Sequence, residues 1–300
     1  IRINPAPFST RGLGRLNRFL KNRGRLALRY IVPVASIFLL TAFQVRMWGG
    51  GGWRPNPIRE GLPTAENGVR DRGFTFCRLL YQSVRQEAQG HGWNTDYPGS
   101  DHNFVTRLAE LTTAKPARWE DGQPGFAVVR ATQEELYECP FLFMSDVGTV
   151  GFSELEVVRL RDYLTKGGFI WVDDFWGDWA WQHWVGEITR VLPEYPIVDI
   201  DPEHMMMHAL YEVEDIPQIP SIQWWRRNGR RGTSERGRES ETPHLRAIFD
   251  PEGRPLVVMT HNTDIADGWE REGEDYDFFY EFSPEAYALG INVVLYSLSH

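Results

Sequence analysis

SELEVVRLRDYLTKGGFIWVDDFWGDWAWQHWVGEITRV, residues 153–191, decides the fold. Ser153 followed three residues later by Glu156 is a capping box, in which each side chain accepts a hydrogen bond from the other residue's backbone N–H. Apolar Leu155, Val158 and Leu164 follow it, and Gly167-Gly168 supplies the stop that a helix C-terminus favours. Phe169–Val172 is a continuous apolar run too short for a helix of its own, as expected of a strand buried on both faces. Asp173-Asp174 ends it, and a Trp-rich helix is expected over Asp178–Val191. Helix, buried strand and helix in immediate succession predict an α/β fold, a mostly parallel sheet with helices on both faces.

The same alternation extends in both directions. Strands are expected at Phe74–Leu80, Ala127–Arg130, Phe141–Met144, Ile197–Ile200 and Leu256–Met259. Helices are expected near Asn103–Leu111, after Thr132 and near Pro284–Ser299, with a Pro-broken stretch before Leu256. Ligands of such sheets gather beyond the carboxyl ends of the strands. The chain has 300 residues and a mass of 34.7 kDa, with 42% hydrophobic and 24% charged residues and a mean hydropathy of -0.41, which excludes a disordered chain and a polytopic membrane protein.

Its net charge of -9 is an average over two regions. Residues 1–59 contain eleven Arg or Lys and no Asp or Glu, leaving 21 basic against 41 acidic residues, a net of -20, in the remainder. Within the basic region, Leu26–Val45 reads LALRYIVPVASIFLLTAFQV, long enough as a helix to cross roughly 30 Å of hydrocarbon. Its polar Arg29 and Gln44 lie near the ends. Eight cations within the first 29 residues place the N-terminus in the cytoplasm by the positive-inside rule. The expected organisation is a basic cytoplasmic arm (1–25), a single transmembrane helix (26–48), a Gly/Pro-rich linker (49–72) and a domain (73–300) on the far side of the membrane. The anchor residues are Tyr30, Ile31, Phe38, Leu39, Leu40, Phe43 and Trp48. A cleaved signal peptide is the rival reading, because Tyr30–Phe43 has h-region length, but no clear small-x-small site follows it.

Cys77 and Cys139 each lie in or beside an apolar run, and two buried free thiols are expected rather than a bridge. No CxxC, HExxH, GxSxG, P-loop or GxGxxG pattern occurs. Residues 225–240 carry six Arg and read as a flexible basic loop. In a strongly acidic domain facing away from the cytoplasm, such a loop suits solvent, protein or lipid headgroups, and no nucleic-acid partner is assigned. Trp176, Trp179, Trp181 and Trp184 are expected to pack their helix on the sheet or on a partner.

Four polar clusters fall at expected strand ends or adjacent loops: residues 92–103 with Asp96 and Asp101, Asp173-Asp174, His204 with His208, and residues 261–270 with His261 and Asp264. Carboxylates beside His suit acid–base work. Asp96, Asp101, Asp173, Asp174, His208, His261 and Asp264 are therefore the pocket candidates. The histidines show no fixed ligand spacing to the carboxylates, so no metal and no cofactor is assigned.

GWNTDYPGSDHNF, RDYLTKGGFIWVDDFWGDW, IPSIQWWRR, VVMTHNTDIADGWEREGEDYDFFYEF and LGINVVLYSLSH together resemble the bacterial family known as domain of unknown function 4159, over roughly Gly73 to His300. The resemblance implies a fold similar to class I glutamine amidotransferases and ThuA-like proteins. In that fold a strand after a GG turn leads to an elbow where amidotransferases carry Cys, and here Asp173 or Asp174 stands there. A carboxylate replaces a thiolate poorly in amide hydrolysis. With a bacterial family implied, the expectation is a periplasmic amidotransferase-like domain without its nucleophile, anchored in the bacterial inner membrane and acting as an accessory or scaffold subunit. Its partners would be an integral membrane complex of respiratory or photosynthetic type, contacted by the helix and the basic arm, and lipid headgroups. The alternative is an envelope hydrolase or carbohydrate-binding domain using an Asp/His pocket.

Overall fold

Short apolar runs build the sheet and longer amphipathic segments cover it. In chain order the strands are β1 (Phe76–Leu79), β2 (Gln82–Ser83), β3 (Phe126–Val129), β4 (Leu142–Ser145), β5 (Val150–Gly151), β6 (Ile170–Asp173), β7 (Ile197–Asp199), β8 (His244–Phe249) and β9 (Pro255–His261). The α-helices are α1 (Gly99–Leu111), α2 (Glu154–Thr165), α3 (Gly177–Val191), α4 (Ile222–Arg227), α5 (Ile265–Glu270) and α6 (Tyr276–Ser299). This computed structural model describes residues 62–64 and 71–300. The expected arm, the anchor with Tyr30, Ile31, Phe38, Leu39, Leu40, Phe43 and Trp48, and most of the linker lie outside those residues. Among the described residues no helix is long and apolar enough to cross a membrane.

Seven strands form the main sheet in the order β3-β1-β4-β6-β9-β8-β7, and β2 pairs with β5 separately. β3, β1, β4, β6 and β9 are mutually parallel, whereas β8 runs antiparallel to both β9 and β7. The chain passes from β1 to β3 on one side and then returns to β4 on the other. The order therefore reverses between β1 and β4, where a doubly wound sheet leaves a crevice at its carboxyl edge.

Alternate strand residues enter opposite layers. Phe143 and Trp171 join the layer built with Phe104, Trp269 and Phe278, under α1, α5 and α6. Leu142, Met144, Ile170 and Val172 join Leu160, Trp184 and Ile188, under α2 and α3. The capping box of α2 is present, with Glu156 N donating to Ser153 Oγ and Ser153 N donating to Glu156 Oε2. Its inward stripe is Val157, Leu160 and Leu164, an i, i+3, i+7 row, which leaves Leu155 and Val158 on the opposite, exposed face. After it, a Cβ on Gly168 would sit 2.4 Å from the Tyr163 ring, so glycine is required where the chain turns into β6.

Several other expectations are corrected. Cys77 and Cys139 form a disulfide rather than two free thiols, with Cα atoms 6.1 Å apart. Cys77 pairs in register with Leu142 on the neighbouring strand, which brings the segment just before β4 alongside it. The arginine-rich segment holds the end of α4 and a short turn, and three of its arginines are in ion pairs: Arg226 with Glu274 and Asp275, Arg230 with Asp275 and Asp277, and Arg236 with Glu235. The expected Pro-broken stretch contains β8, whose alternating buried residues suit the strand between β9 and β7. The last helix begins earlier than expected, at Tyr276, because Asp275 caps it and Phe278 and Phe282 bury its first two turns. Of the four tryptophans, Trp184 is in the core and Trp179 is exposed beneath the Arg85 guanidinium, 3.4 Å from the ring centroid.

Candidate functional site

Three adjacent parallel strands, β4, β6 and β9, each deliver a carboxylate just beyond their carboxyl ends: Asp146, Asp174 and Asp264. Asp96 reaches the same place from the loop ahead of α1, and Asp267 and Glu270 come from α5. All six line a cavity of about 490 Å³, within the usual size of a small-molecule site. Trp176, Arg227, Arg236 and Arg271 also line it, and Arg271 pairs with Asp267 at 3.3 Å and with Glu270 at 2.7 Å.

The local backbone explains the convergence. Asp96, Asp146, Asp174 and Asn262 have φ of 61, 53, 54 and 63°, the left-handed region that Asp and Asn tolerate better than other non-glycine residues. Each makes a sharp turn, and at the three aspartates the side chain lines the crevice. Asn262 ties two of these turns together. Its Oδ1 accepts from Gly177 N at 2.8 Å and its backbone N donates to Phe175 O at 3.0 Å.

Backbone donors fix several carboxylates by one oxygen. Gly92 N donates to Asp146 Oδ2 at 2.7 Å, Asp267 N to Asp264 Oδ1 at 2.8 Å, and Ile222 N to Asp267 Oδ2 at 2.8 Å. The Trp176 indole donates to Asp174 Oδ1 at 3.0 Å. Two trios each bring three carboxylate oxygens within 4.8 Å of one another: Asp96, Asp174 and Asp264, and Asp96, Asp267 and Glu270. Hard oxygen donors of this kind suit Ca²⁺ or Mg²⁺ rather than a soft metal. Asp96 belongs to both trios.

So many carboxylates close together hold protons unusually well. Burial, with the neighbouring acids adding to it, pushes Asp96 up to about 6 and Glu270 up to about 7. Asp146 is pushed up to about 7 by burial, against the Gly92 hydrogen bond. Burial and mutual repulsion hold Asp174, Asp264 and Asp267 well above the usual carboxylate range. Near neutral pH the cluster shares protons, which puts carboxylic acids and carboxylates side by side.

The pocket candidates expected from sequence separate into distinct environments. Asp96, Asp174 and Asp264 line the cavity. Asp101 lies beneath it, fully buried and paired with Arg78. Asp173 is also fully buried. It accepts from Thr260 Oγ1 at 2.6 Å and from Ala266 N at 2.9 Å, which holds the start of α5 against β6. His261 is buried between Phe175, Trp181 and His244, accepts from Arg246 at Nδ1, and is pushed down to about 3 mainly by burial. His208 is engaged by Glu212 and the Pro202 carbonyl and does not line the cavity. His204 caps its own short turn by accepting from Met206 N. The cavity is therefore built mainly around carboxylates, and the histidine on its wall is His91, not one of the expected candidates.

Asp146, Asp267 and Glu270 were not singled out by sequence spacing. Two signals pointed to them. Asp146 follows its strand as Asp174 follows β6, and Asp264, Asp267 and Glu270 recur every three residues, which places them on one side of a helix. No thiol takes part, because both cysteines of the chain are in the disulfide.

No curated protein matches the chain. Residues 75–298, nearly the whole described domain, match a known family, and the chain belongs to it: the domain of unknown function family DUF4159.

Proposed function

We propose that this domain is a membrane-tethered module of the bacterial envelope that binds a polar ligand in the carboxylate cleft and acts on it by acid–base hydrolysis. The observation that carries the proposal is the convergence of eight carboxylates, the six above with Glu87 and Glu235, on one cavity at the carboxyl edge of the sheet. Burial raises both Asp96 and Glu270 toward neutral pH, so the pair can offer a carboxyl proton and a carboxylate base side by side. A divalent cation held by either trio would polarise the ligand and neutralise the cluster. Asp174, at the turn where the resemblance to amidotransferases would put cysteine, faces the ligand with a carboxyl group whose proton burial and the neighbouring acids help retain.

Two features support an extracytoplasmic setting. The Cys77–Cys139 disulfide belongs to oxidising compartments, and the cationic segment before Leu26 favours a cytoplasmic N-terminus. The test is thermal unfolding of the full chain in detergent micelles at pH 8, with and without millimolar Ca²⁺, Mg²⁺ or Mn²⁺. Wild type should gain several degrees with at least one of them, and Asp96→Asn should lose most of that gain. A wild-type protein indifferent to all three would remove the cation from the proposal. Retention of hydrolytic activity on envelope glycans by Asp96→Asn and Glu270→Gln would remove the catalytic assignment.

A second reading is favoured by the absence of any free thiol. On it, the domain keeps an amidotransferase-like scaffold without that chemistry and serves as an accessory subunit of a larger membrane complex, respiratory or photosynthetic in type, held by the anchor, the basic arm and lipid headgroups. Gentle detergent extraction from native membranes distinguishes it. Recovery of the full chain solely as a monomer would refute the subunit reading.

A further inference from the structure

Asp96 is the carboxylate common to both trios, yet among the described residues its own side chain has a single weak hydrogen-bond anchor, Ser145 Oγ at 3.5 Å. Its place is set from below, by Arg78. This arginine lies in the middle of β1 with no exposed surface, an unusual position for a cation. Its guanidinium is fully engaged. Nε and Nη2 donate to the Asp101 carboxylate at 3.0 and 2.7 Å, Nη1 to the carbonyls of Trp93 and Thr95 at 3.1 and 2.8 Å, and Nη2 to Ser100 Oγ at 3.0 Å.

Those acceptors bracket Asp96 in sequence. Thr95 precedes it, and Ser100 donates back to the Asp96 carbonyl through both its N, at 3.0 Å, and its Oγ, at 3.1 Å. One rigid fork thus holds both ends of the turn that lifts Asp96, in a left-handed conformation, into the centre of the cleft. A lysine has a single ammonium and could not span Asp101, Ser100 and two carbonyls at once.

We infer that Arg78 is the positioning residue of the cleft, acting on whatever the carboxylates bind solely by holding Asp96 in place. The inference rests on the proposal that the cleft takes a cation. It goes beyond it in assigning a function to a buried ion pair that touches no ligand. A core role alone would make Arg78 matter for stability and leave ligand geometry untouched.

A double-mutant cycle separates the two roles. The probe is Tb³⁺ alone, bound to the full chain in micelles and read by tryptophan-sensitised luminescence, with Trp176 lining the cleft as the antenna. Arg78→Lys should weaken Tb³⁺ binding at least tenfold and shorten the emission lifetime, because the ion exchanges a carboxylate oxygen for water. Asp96→Asn should do the same. The double variant should bind no more weakly than Asp96→Asn. Losses that multiply, or an Arg78→Lys protein that binds with wild-type affinity and lifetime, overturn the inference while leaving the cleft intact. A wild type that binds no Tb³⁺ refutes the cleft reading itself and this inference with it. If Arg78→Lys fails to fold, Ser100→Ala replaces it in the cycle. A smaller loss that disappears in the Asp96→Asn background then supports the inference, and a loss that persists there overturns it.

Discussion

Replacing both cysteines, as Cys77→Ala with Cys139→Ala, should destabilise the domain far more than a change of two small buried side chains suggests. The two residues are 62 positions apart in sequence. Closing a loop of that length removes unfolded-state entropy worth about 4 kcal/mol in the chain-entropy description. For a domain of this size each kcal/mol moves the melting temperature by about 2–4 °C, so the shift should be about 8–16 °C. The bridge joins the start of β1 to the segment leading into β4, at the amino ends of these strands and at the opposite edge of the sheet from the carboxylate crevice. The assay is urea or thermal unfolding of the full chain, oxidised and reduced, beside the double variant. Thiol titration of the unfolded, unreduced protein should find no free thiol. Two free thiols per chain, or a loss below about 1 kcal/mol on removing both, would refute the reasoning. Either result would also withdraw the disulfide's support for an extracytoplasmic domain.

Two further outcomes follow from the core and the cleft. Carboxyl groups whose folded-state pKa is raised favour the folded state while they are protonated. Their contribution is complete below the unfolded values near 4 and is lost as pH rises through about 6 to 7, where Asp96, Asp146, Asp173 and Glu270 titrate. In the presence of chelator the unfolding free energy should fall between pH 5 and pH 8, by up to about 1.4 kcal/mol per pH unit for each proton that the folded state holds in excess, with the melting temperature falling alongside, and a temperature that stays level or rises across that range would contradict the assignment. In α3, Trp184→Ala removes a fully buried ring and should cost about 3–5 kcal/mol, whereas Trp179→Ala, mostly exposed, should change stability by about 1 kcal/mol or less; equal losses in denaturant titration would show the burial to be misassigned.

Regular elements were legible where one residue pattern had one physical explanation. Ser153 and Glu156 announced α2, Gly167-Gly168 its end, and Phe169–Val172 a strand that neighbours must cover. Legibility failed where the explanation lies between segments. Nothing in FTFCRLLY or CPFLFM says that their cysteines meet, because the pairing follows from β1 and β4 being neighbours in a sheet whose order the sequence does not state. Leu155 and Val158 are apolar at helical spacing but face outward. The deciding row is the one nearest the sheet, and only the packed structure shows that it passes through Val157, Leu160 and Leu164.

The site was legible by the same measure. Carboxylates at strand ends could be recognised from sequence, but not which of them have oxygens left for a ligand. Asp101 and Asp173 carry the same side chain as Asp96 and Asp174, one to five residues away in sequence, and differ only in their partners. Asp101 meets a buried guanidinium, and Asp173 meets a threonine hydroxyl and a helix N-terminus. Each is the support for its neighbour: the Arg78–Asp101 pair holds the turn that carries Asp96, and Asp173 fixes α5, which carries Asp267 and Glu270. The left-handed turns at Asp96 and Asp174 complete the division, since each reverses the chain within one residue of a buried segment and so separates a structural carboxylate from an available one. A fold that commits two buried aspartates to hold others in a water-accessible cleft keeps like charges close together at a cost in stability. That cost is offset when a cation or a positively charged ligand occupies the cleft, which couples the stability of the carboxyl edge to binding there.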